Sequence, residues 1–171
     1  MMKLQKAINI IKKSTSITLF RNDSGRRLLS NGAAAYDVSG FPEIETEGEL
    51  AAVLGIDKPK DHVFAITDIP EILNTNGETI YAEQLATSVC FDGEEYVMFD
   101  CGKIYAVRAE YLKPFEEDDL FHCTPLPDGG CVISAGGLIT TGYIMPVSVS
   151  DDRMITDISE IAKRGIWRAS K

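Results

Sequence analysis

Apolar and polar residues follow a helical period at the start of the chain and a β period over most of what comes next. Residues 3–13 place their apolar side chains at the i, i+3, i+4, i+7 spacing of one helical face: Leu4, Ala7, Ile8 and Ile11. Lys3, Lys6 and Lys13 fall on the opposite side. The pattern predicts an amphipathic first helix with a basic outer face.

Three short β-type runs follow this helix and end near residue 39. An Asn-Asp-Ser-Gly turn at 22–25 separates the first two, and Asn31-Gly32, a strong hairpin signal, separates the second from the third. The opening segment therefore predicts a helix followed by three antiparallel strands.

A similar order of elements returns late in the chain. A strand at 103–107 precedes a short helical piece, residues 108–115, which Pro114 limits. Further strands run to residue 149, separated by glycine-containing turns at 127–130 and 136–137. Pro146 lies in the last apolar run and is tolerated there only at a sheet edge or a bulge, because proline has no N–H to donate.

The two segments, residues 3–39 and 103–149, share the order helix-β-β-β, with a leading strand in the second. Fusion of two such units predicts an α+β domain with antiparallel sheets, its helices together on one face, and a pseudo-two-fold (β)αβββ repeat. We expect a single domain over residues 1–149.

The remaining segments carry weaker patterns. Residues 41–88 are expected to form an irregular insert, in which Gly-Glu-Leu-Ala-Ala-Val-Leu-Gly predicts a short helix closed by Gly55. Residues 150–171 are expected to form a C-terminal helical extension. Its apolar edge, Ile158 and Ile161, together with Trp167, is a candidate partner-binding surface.

Short motifs in both repeats resemble DNA sliding-clamp domains over about residues 3–40 and 96–149. They are the Tyr111-Leu112 pair at the start of a short helix, and the Met145-Pro146 pair within the hydrophobic last strand. The run Leu-Leu-Ser-Asn-Gly-Ala-Ala-Ala-Tyr-Asp-Val also looks like the strand-turn-strand after the first clamp helix. The resemblance implies a clamp-like fold. Because a bacterial clamp subunit combines several such domains, we expect a binding module rather than a ring.

Clamp rings present basic side chains from their inner helices to the DNA backbone without reading bases. The resemblance implies the same role for candidate residues on both helices: Lys3, Lys6, Lys13, Arg108 and Lys113. Such contacts would depend on salt and not on base sequence.

The charge distribution is compatible with this expectation, although a solvated helix face explains it better. Residues 1–30 carry seven basic residues and one acidic residue. The rest of the chain is acidic, and the net charge of the whole chain is −9. A basic opening segment on an acidic body therefore suits contact of one face with a polyanion.

Other chemistry finds little support in the residues. The four cysteines lack the spacing of a zinc site, and no phosphate-binding loop or nucleophile motif is present, so we expect no metal, no cofactor and no catalysis. An apolar run long enough to span a membrane is absent, and the N-terminus does not read as a signal peptide. We therefore expect a cytoplasmic chain without a membrane partner.

Three functions remain open at this point. The first is a non-enzymatic clamp-like protein that binds the duplex DNA backbone or a replication partner, possible as a homo-oligomer. The second is a protein-interaction module of a phage or mobile element without nucleic-acid binding. The third, a small enzyme that uses cysteine or carboxylates, has the least support.

Overall fold

The computed structural model of the chain describes residues 2–57, 59–74, 78–137 and 139–146. The helices in these residues are α1 (Leu4–Ile11), α2 (Glu47–Leu54), α3 (Glu71–Asn74) and α4 (Ala109–Leu112). The strands are β1 (Ser16–Arg21), β2 (Arg27–Ser30), β3 (Ala34–Asp37), β4 (Val63–Asp68), β5 (Ile80–Tyr81), β6 (Glu83–Phe91), β7 (Glu94–Asp100), β8 (Ile104–Arg108), β9 (Leu120–Pro125), β10 (Cys131–Gly136) and β11 (Thr140–Ile144). The α+β class predicted from the sequence is confirmed.

The strands form one large and one small sheet. The large sheet has the order β4-β1-β2-β3-β11-β10-β9-β5, and the small sheet has the order β6-β7-β8. Two antiparallel meanders, β1–β3 and β9–β11, make the centre of the large sheet and meet through antiparallel pairing of β3 with β11. Because each meander joins the other through its last strand, the six central strands have the same order when read from either edge. A helix precedes each meander, α1 the first and α4 the second.

The main core lies on one face of the large sheet, against α1, α2, α4 and the small sheet. Its largest fully buried side chain is Tyr36 of β3. The Tyr36 hydroxyl donates a hydrogen bond to the carbonyl of Tyr111 in α4 at 2.9 Å. The backbone N–H of Lys3 donates to the carbonyl of Pro114 at 2.6 Å, which ties the start of α1 to the end of α4. The two helices of the repeat therefore lie together, as expected.

Residues 41–88 are not the irregular insert expected from their sequence. They contain α2, β4, α3, β5 and most of β6. β4 pairs in parallel with β1, and β5 pairs antiparallel with β9, so this segment reaches both edges of the six central strands. Residues 79–87, whose sequence fits either a helix or a strand, contain β5 and the first residues of β6.

α3 lies on the opposite face of the large sheet from the other helices. Ile69 and Leu73 pack there against Leu28, Ala35 and Val132 in a second buried cluster. The expectation that the helices share one face therefore holds for α1 and α4 but not for α3. Its four residues are too few to show a helical period in the sequence.

The proline in the last apolar run follows the strand instead of interrupting it. β11 ends at Ile144, and the N–H of Met145 donates to the carbonyl of Ala33 at 2.8 Å. Pro146 comes next, so its missing N–H donor falls outside β11. The predicted extension at 150–171, with Ile158, Ile161 and Trp167, lies outside the described residues. Among the helices described, none has the length and apolar character needed to cross a bilayer.

Candidate functional site

The five predicted basic residues lie on or beside α1 and α4, the two helices in contact. Lys3 and Lys13 flank α1, and Lys6 is within it. Arg108 is the N-cap of α4 and Lys113 its C-cap. We call the surface formed by these five residues the helical face. The structure brings the predicted residues onto one surface. Their ability to bind a polyanion depends on whether carboxylates of the chain already pair with them.

Carboxylates pair with the two lysines that flank α1. The Lys3 ammonium lies 2.8 Å from a carboxylate oxygen of Glu116, and the Lys13 ammonium lies 3.5 Å from Glu110. The hydrogen bond between Lys3 and Glu116 raises the pKa of Lys3 and lowers the pKa of Glu116. To contact a phosphate, each lysine would have to break its ion pair or remain paired with its carboxylate beside the phosphate.

Arg108 is held more firmly than the lysines. Its guanidinium contacts Glu94 at 2.5 Å and Glu110 at 3.3 Å, and it lies over the Tyr111 ring at 5.6 Å from the ring centroid. The hydrogen bond with Glu94 is the main cause of the raised pKa of Arg108, and it lowers the pKa of Glu94. Arg108 therefore joins β7, β8 and α4, and this position does not suit a free phosphate contact.

Lys6 and Lys113 are the exposed members of the helical face that make no ion pair within the described residues. Glu94, Glu110 and Glu116 balance the charge of the other three bases. The sequence did not reveal the partners of the two lysines, because Glu116 and Glu110 lie far from Lys3 and Lys13 along the chain; Lys13 and Glu110 are 97 positions apart. Three of the five bases of the helical face are therefore neutralised by carboxylates, so the face is less basic than its five cations imply.

A second candidate surface surrounds α3 on the opposite face of the large sheet. Ile72 separates two cavities there. One, of about 180 Å³, lies against β2, β3 and β11 and includes Phe20, Tyr143 and Met145. The other, of about 530 Å³, lies between α3 and the β9–β10 turn. We call Ile72 and these two cavities the α3 surface.

Several apolar side chains on and around the α3 surface are exposed to solvent. Ile72 and Met145 are each 37% exposed, and the neighbouring β5 residues Ile80 and Tyr81 are 46% and 59% exposed. Exposed apolar groups that cluster in this way are typical of protein-interaction sites. No local sequence pattern indicates this surface, because Ile72, Met145 and β5 come together only through long-range packing.

Tyr143 anchors α3 to the sheet. Its hydroxyl donates to the carbonyl of Leu73 at 2.8 Å, and Arg26 donates to the same hydroxyl at 3.0 Å. The Arg26 guanidinium also lies 5.4 Å from the Tyr143 ring centroid and 3.7 Å from a carboxylate oxygen of Asp37. The α3 surface is therefore supported by side chains of β3, β11 and the β1–β2 turn.

Three of the four cysteines are buried in the main core: Cys101, Cys123 and Cys131. Burial raises the pKa of the Cys101 thiol to about 12, and it also raises the pKa of Cys131. Thiols with such pKa values stay protonated near neutral pH and are poor nucleophiles. Within the described ranges, no group of three or more His, Cys, Asp or Glu side chains is arranged to hold a metal ion.

Comparisons with protein-family models, with curated proteins and with solved structures gave no match. Two surfaces of the described residues have chemistry suited to binding, the helical face and the α3 surface. The first has the predicted bases but is largely paired, and the second is apolar and open.

Proposed function

We propose that this chain is a non-enzymatic binding domain of clamp-like architecture that recognises a protein partner through its α3 surface. The clamp-like part is supported by the order of the six central strands and by the contact of α1 with α4. Protein binding is supported above all by one observation, the exposed apolar side chains on both sides of α3.

The charges of the helical face favour a protein partner over DNA. Binding to a duplex depends on cations that replace the counterions of the phosphates. With Lys3, Lys13 and Arg108 paired to carboxylates, few such cations remain, and the carboxylates repel the backbone. An apolar surface on a chain of net charge −9 is better suited to a protein.

Site-specific photo-crosslinking in the source cells tests the proposal. A photoreactive phenylalanine analogue in place of Ile72 should give a defined protein adduct after illumination. The same analogue in place of Lys6 probes the helical face as the matched control, because both positions are exposed. Protein adducts from position 6 alone, or DNA adducts from either position, would reject the α3 surface as the recognition site.

Duplex DNA remains a second candidate because Lys6 and Lys113 are exposed on neighbouring helices without an ion pair among the described residues. If carboxylates suppress this activity, their removal should reveal it. The triple variant Glu94→Gln, Glu110→Gln, Glu116→Gln frees Lys3, Lys13 and Arg108. Its duplex affinity at low salt should rise by roughly tenfold or more, and its log–log salt slope should steepen by about 0.9 for each freed cation.

Fluorescence anisotropy with a labelled duplex at low and at physiological salt measures both quantities. A control variant with the same change of net charge, Glu43→Gln, Glu47→Gln, Glu83→Gln, alters exposed acids of other segments. Equal gains in duplex affinity for both variants would show that the effect comes from the overall net charge and not from the helical face. Tight, salt-sensitive binding by the unmodified chain would make DNA the leading function.

A further inference from the structure

The groove between α3 and the β9–β10 turn combines an apolar floor with an acidic rim. Its volume is about 530 Å³, and its floor is made by Ile72, Pro125, Leu126 and Pro127. Glu71 and Glu78 stand at its rim. A groove of this size accepts one or two apolar side chains.

The two rim carboxylates are exposed, and neither makes an ion pair within the described residues. No basic side chain is among the described residues that line the groove. The side chains of the two prolines are rigid, so contact with them costs little conformational entropy. The groove therefore complements a ligand that is apolar at its centre and positively charged at its ends.

The surroundings of the groove favour a peptide over a compact small molecule. Glu78 lies two residues before β5, whose side chains Ile80 and Tyr81 are exposed. Among the described residues, β5 pairs with β9 alone, so its other edge is open to an extended chain. A peptide that adds to a sheet edge gains backbone hydrogen bonds while its side chains enter neighbouring pockets.

We propose that the groove binds an extended segment of the partner protein that inserts an apolar side chain over Ile72 and Leu126 and places Lys or Arg beside Glu71 and Glu78. This inference rests on the proposed function and gives the chemistry of the partner. A segment with acidic flanks is excluded by repulsion from the same two carboxylates.

Anisotropy titration of the full chain with two dye-labelled peptides tests this chemistry. The probes are Gly-Lys-Leu-Leu-Lys-Gly and the same peptide with glutamate in place of both lysines, each with an uncharged dye. The lysine peptide should bind about tenfold more tightly than the glutamate peptide, and added salt should reduce the difference. Equal binding of the two peptides, or binding of neither, overturns the inference.

Variants with altered charge test whether the preference for the lysine peptide arises at the groove. Glu71→Gln with Glu78→Gln should remove most of the preference for the lysine peptide. Glu47→Gln with Glu95→Gln makes the same change of net charge at exposed positions elsewhere. This variant should retain the preference for the lysine peptide. Equal losses in the two double variants would mean that only the overall negative charge attracts the peptide, which overturns the assignment to the groove.

The apolar floor is tested by Ile72→Ser, which should weaken both peptides, and by amide shifts of Ile72 and Leu126 on titration. Shifts confined to another surface overturn the inference. The crosslinking experiment separates the two proposals. If position 72 captures a protein while the peptides show no charge preference, the partner chemistry is wrong and the proposed function stands. If both experiments fail, both proposals fail.

Discussion

Gly142 is the position at which a single atom decides the packing between the two repeats. A Cβ atom at this position would lie 2.6 Å from Cζ of Phe115 and 3.1 Å from the carbonyl oxygen of Ala35. The Phe115 ring is held between Tyr36 and Phe121, with centroid distances of 5.8 and 5.9 Å. It cannot withdraw without disturbing these aromatic contacts. A glycine is therefore required here for close approach.

Gly142→Ala should lower the free energy of unfolding by about 1–3 kcal/mol, the range for overpacking a well-filled core. Gly40→Ala is the control, because nothing lies within 4 Å of the added methyl group at this exposed turn. Urea unfolding followed by circular dichroism measures both. A loss at Gly40 as large as that at Gly142 would point to a general effect of removing glycine.

The four thiols should divide into one reactive and three protected groups. Cys90 is exposed on β6, whereas Cys101, Cys123 and Cys131 are buried. Near pH 8, an aromatic disulfide reagent should modify one thiol of the native chain quickly and the other three only on unfolding. The variant Cys90→Ser should remove the fast phase. Rapid reaction of any thiol in this variant would contradict the buried cluster.

The same thiols give the stability a pH dependence in the alkaline range. The pKa of Cys101 is raised to about 12 by burial, above its value in the unfolded chain. The unfolded chain therefore releases this proton first, and stability is lost as the pH rises from about 8.5 towards the folded value.

At the scale of elements, capping interactions at both ends determine where α2 begins and ends. The Thr46 hydroxyl accepts a hydrogen bond from the N–H of Glu49 at 3.2 Å, and the Glu49 carboxylate accepts from the N–H groups of Glu45 and Thr46. Gly55 closes the helix with a φ of +64°. These caps hold Leu50 and Leu54 in the main core.

Thr46→Ala should reduce stability by about 1 kcal/mol because it leaves the Glu49 N–H without its partner. Thr46→Ser keeps the hydroxyl and should lose much less. Hydrogen bonds from Glu45 and Thr46 lower the pKa of Glu49, so its contribution is present above the unfolded pKa and is lost as the pH falls through the folded value. Thermal unfolding of both variants at neutral and acidic pH measures these effects; equal losses for Ala and Ser would reject the cap.

Locally determined elements were predictable from the sequence, and long-range ones were not. The 3.6-residue period of α1, the Asn31-Gly32 hairpin and the Gly55 helix end each depend on neighbouring residues. The parallel pairing of β4 with β1 joins residues 16–21 to 63–68, and no local pattern encodes it. The same reason explains the helical face: the lysines were visible in the sequence, but their carboxylate partners were brought to them by the fold.

At the scale of the whole molecule, residues 63–81 pass from one edge of the six central strands to the other. β4 covers β1 over six residue pairs, α3 crosses the face opposite the main core, and β5 covers β9. Free sheet edges are the usual place for strand pairing between copies. The outer strands of the two meanders, β1 and β9, are closed to such pairing because β4 and β5 of the same chain already pair with them.

We therefore expect no assembly of copies through β1 or β9. The outer strand β5 has only two residues and offers little edge for pairing, so the chain should be a monomer in solution. Light scattering after size exclusion should give the mass of one chain over a wide concentration range. The variant Ile80→Pro removes a backbone donor from β5 and weakens its pairing with β9, so it should raise the tendency to associate, because it exposes the β9 edge. Ile80→Thr keeps the donor and the β-branched shape and should remain monomeric. A stable multiple of the chain mass for the unmodified protein would show that copies join through another surface, and the sheet-edge explanation of the monomer would fail.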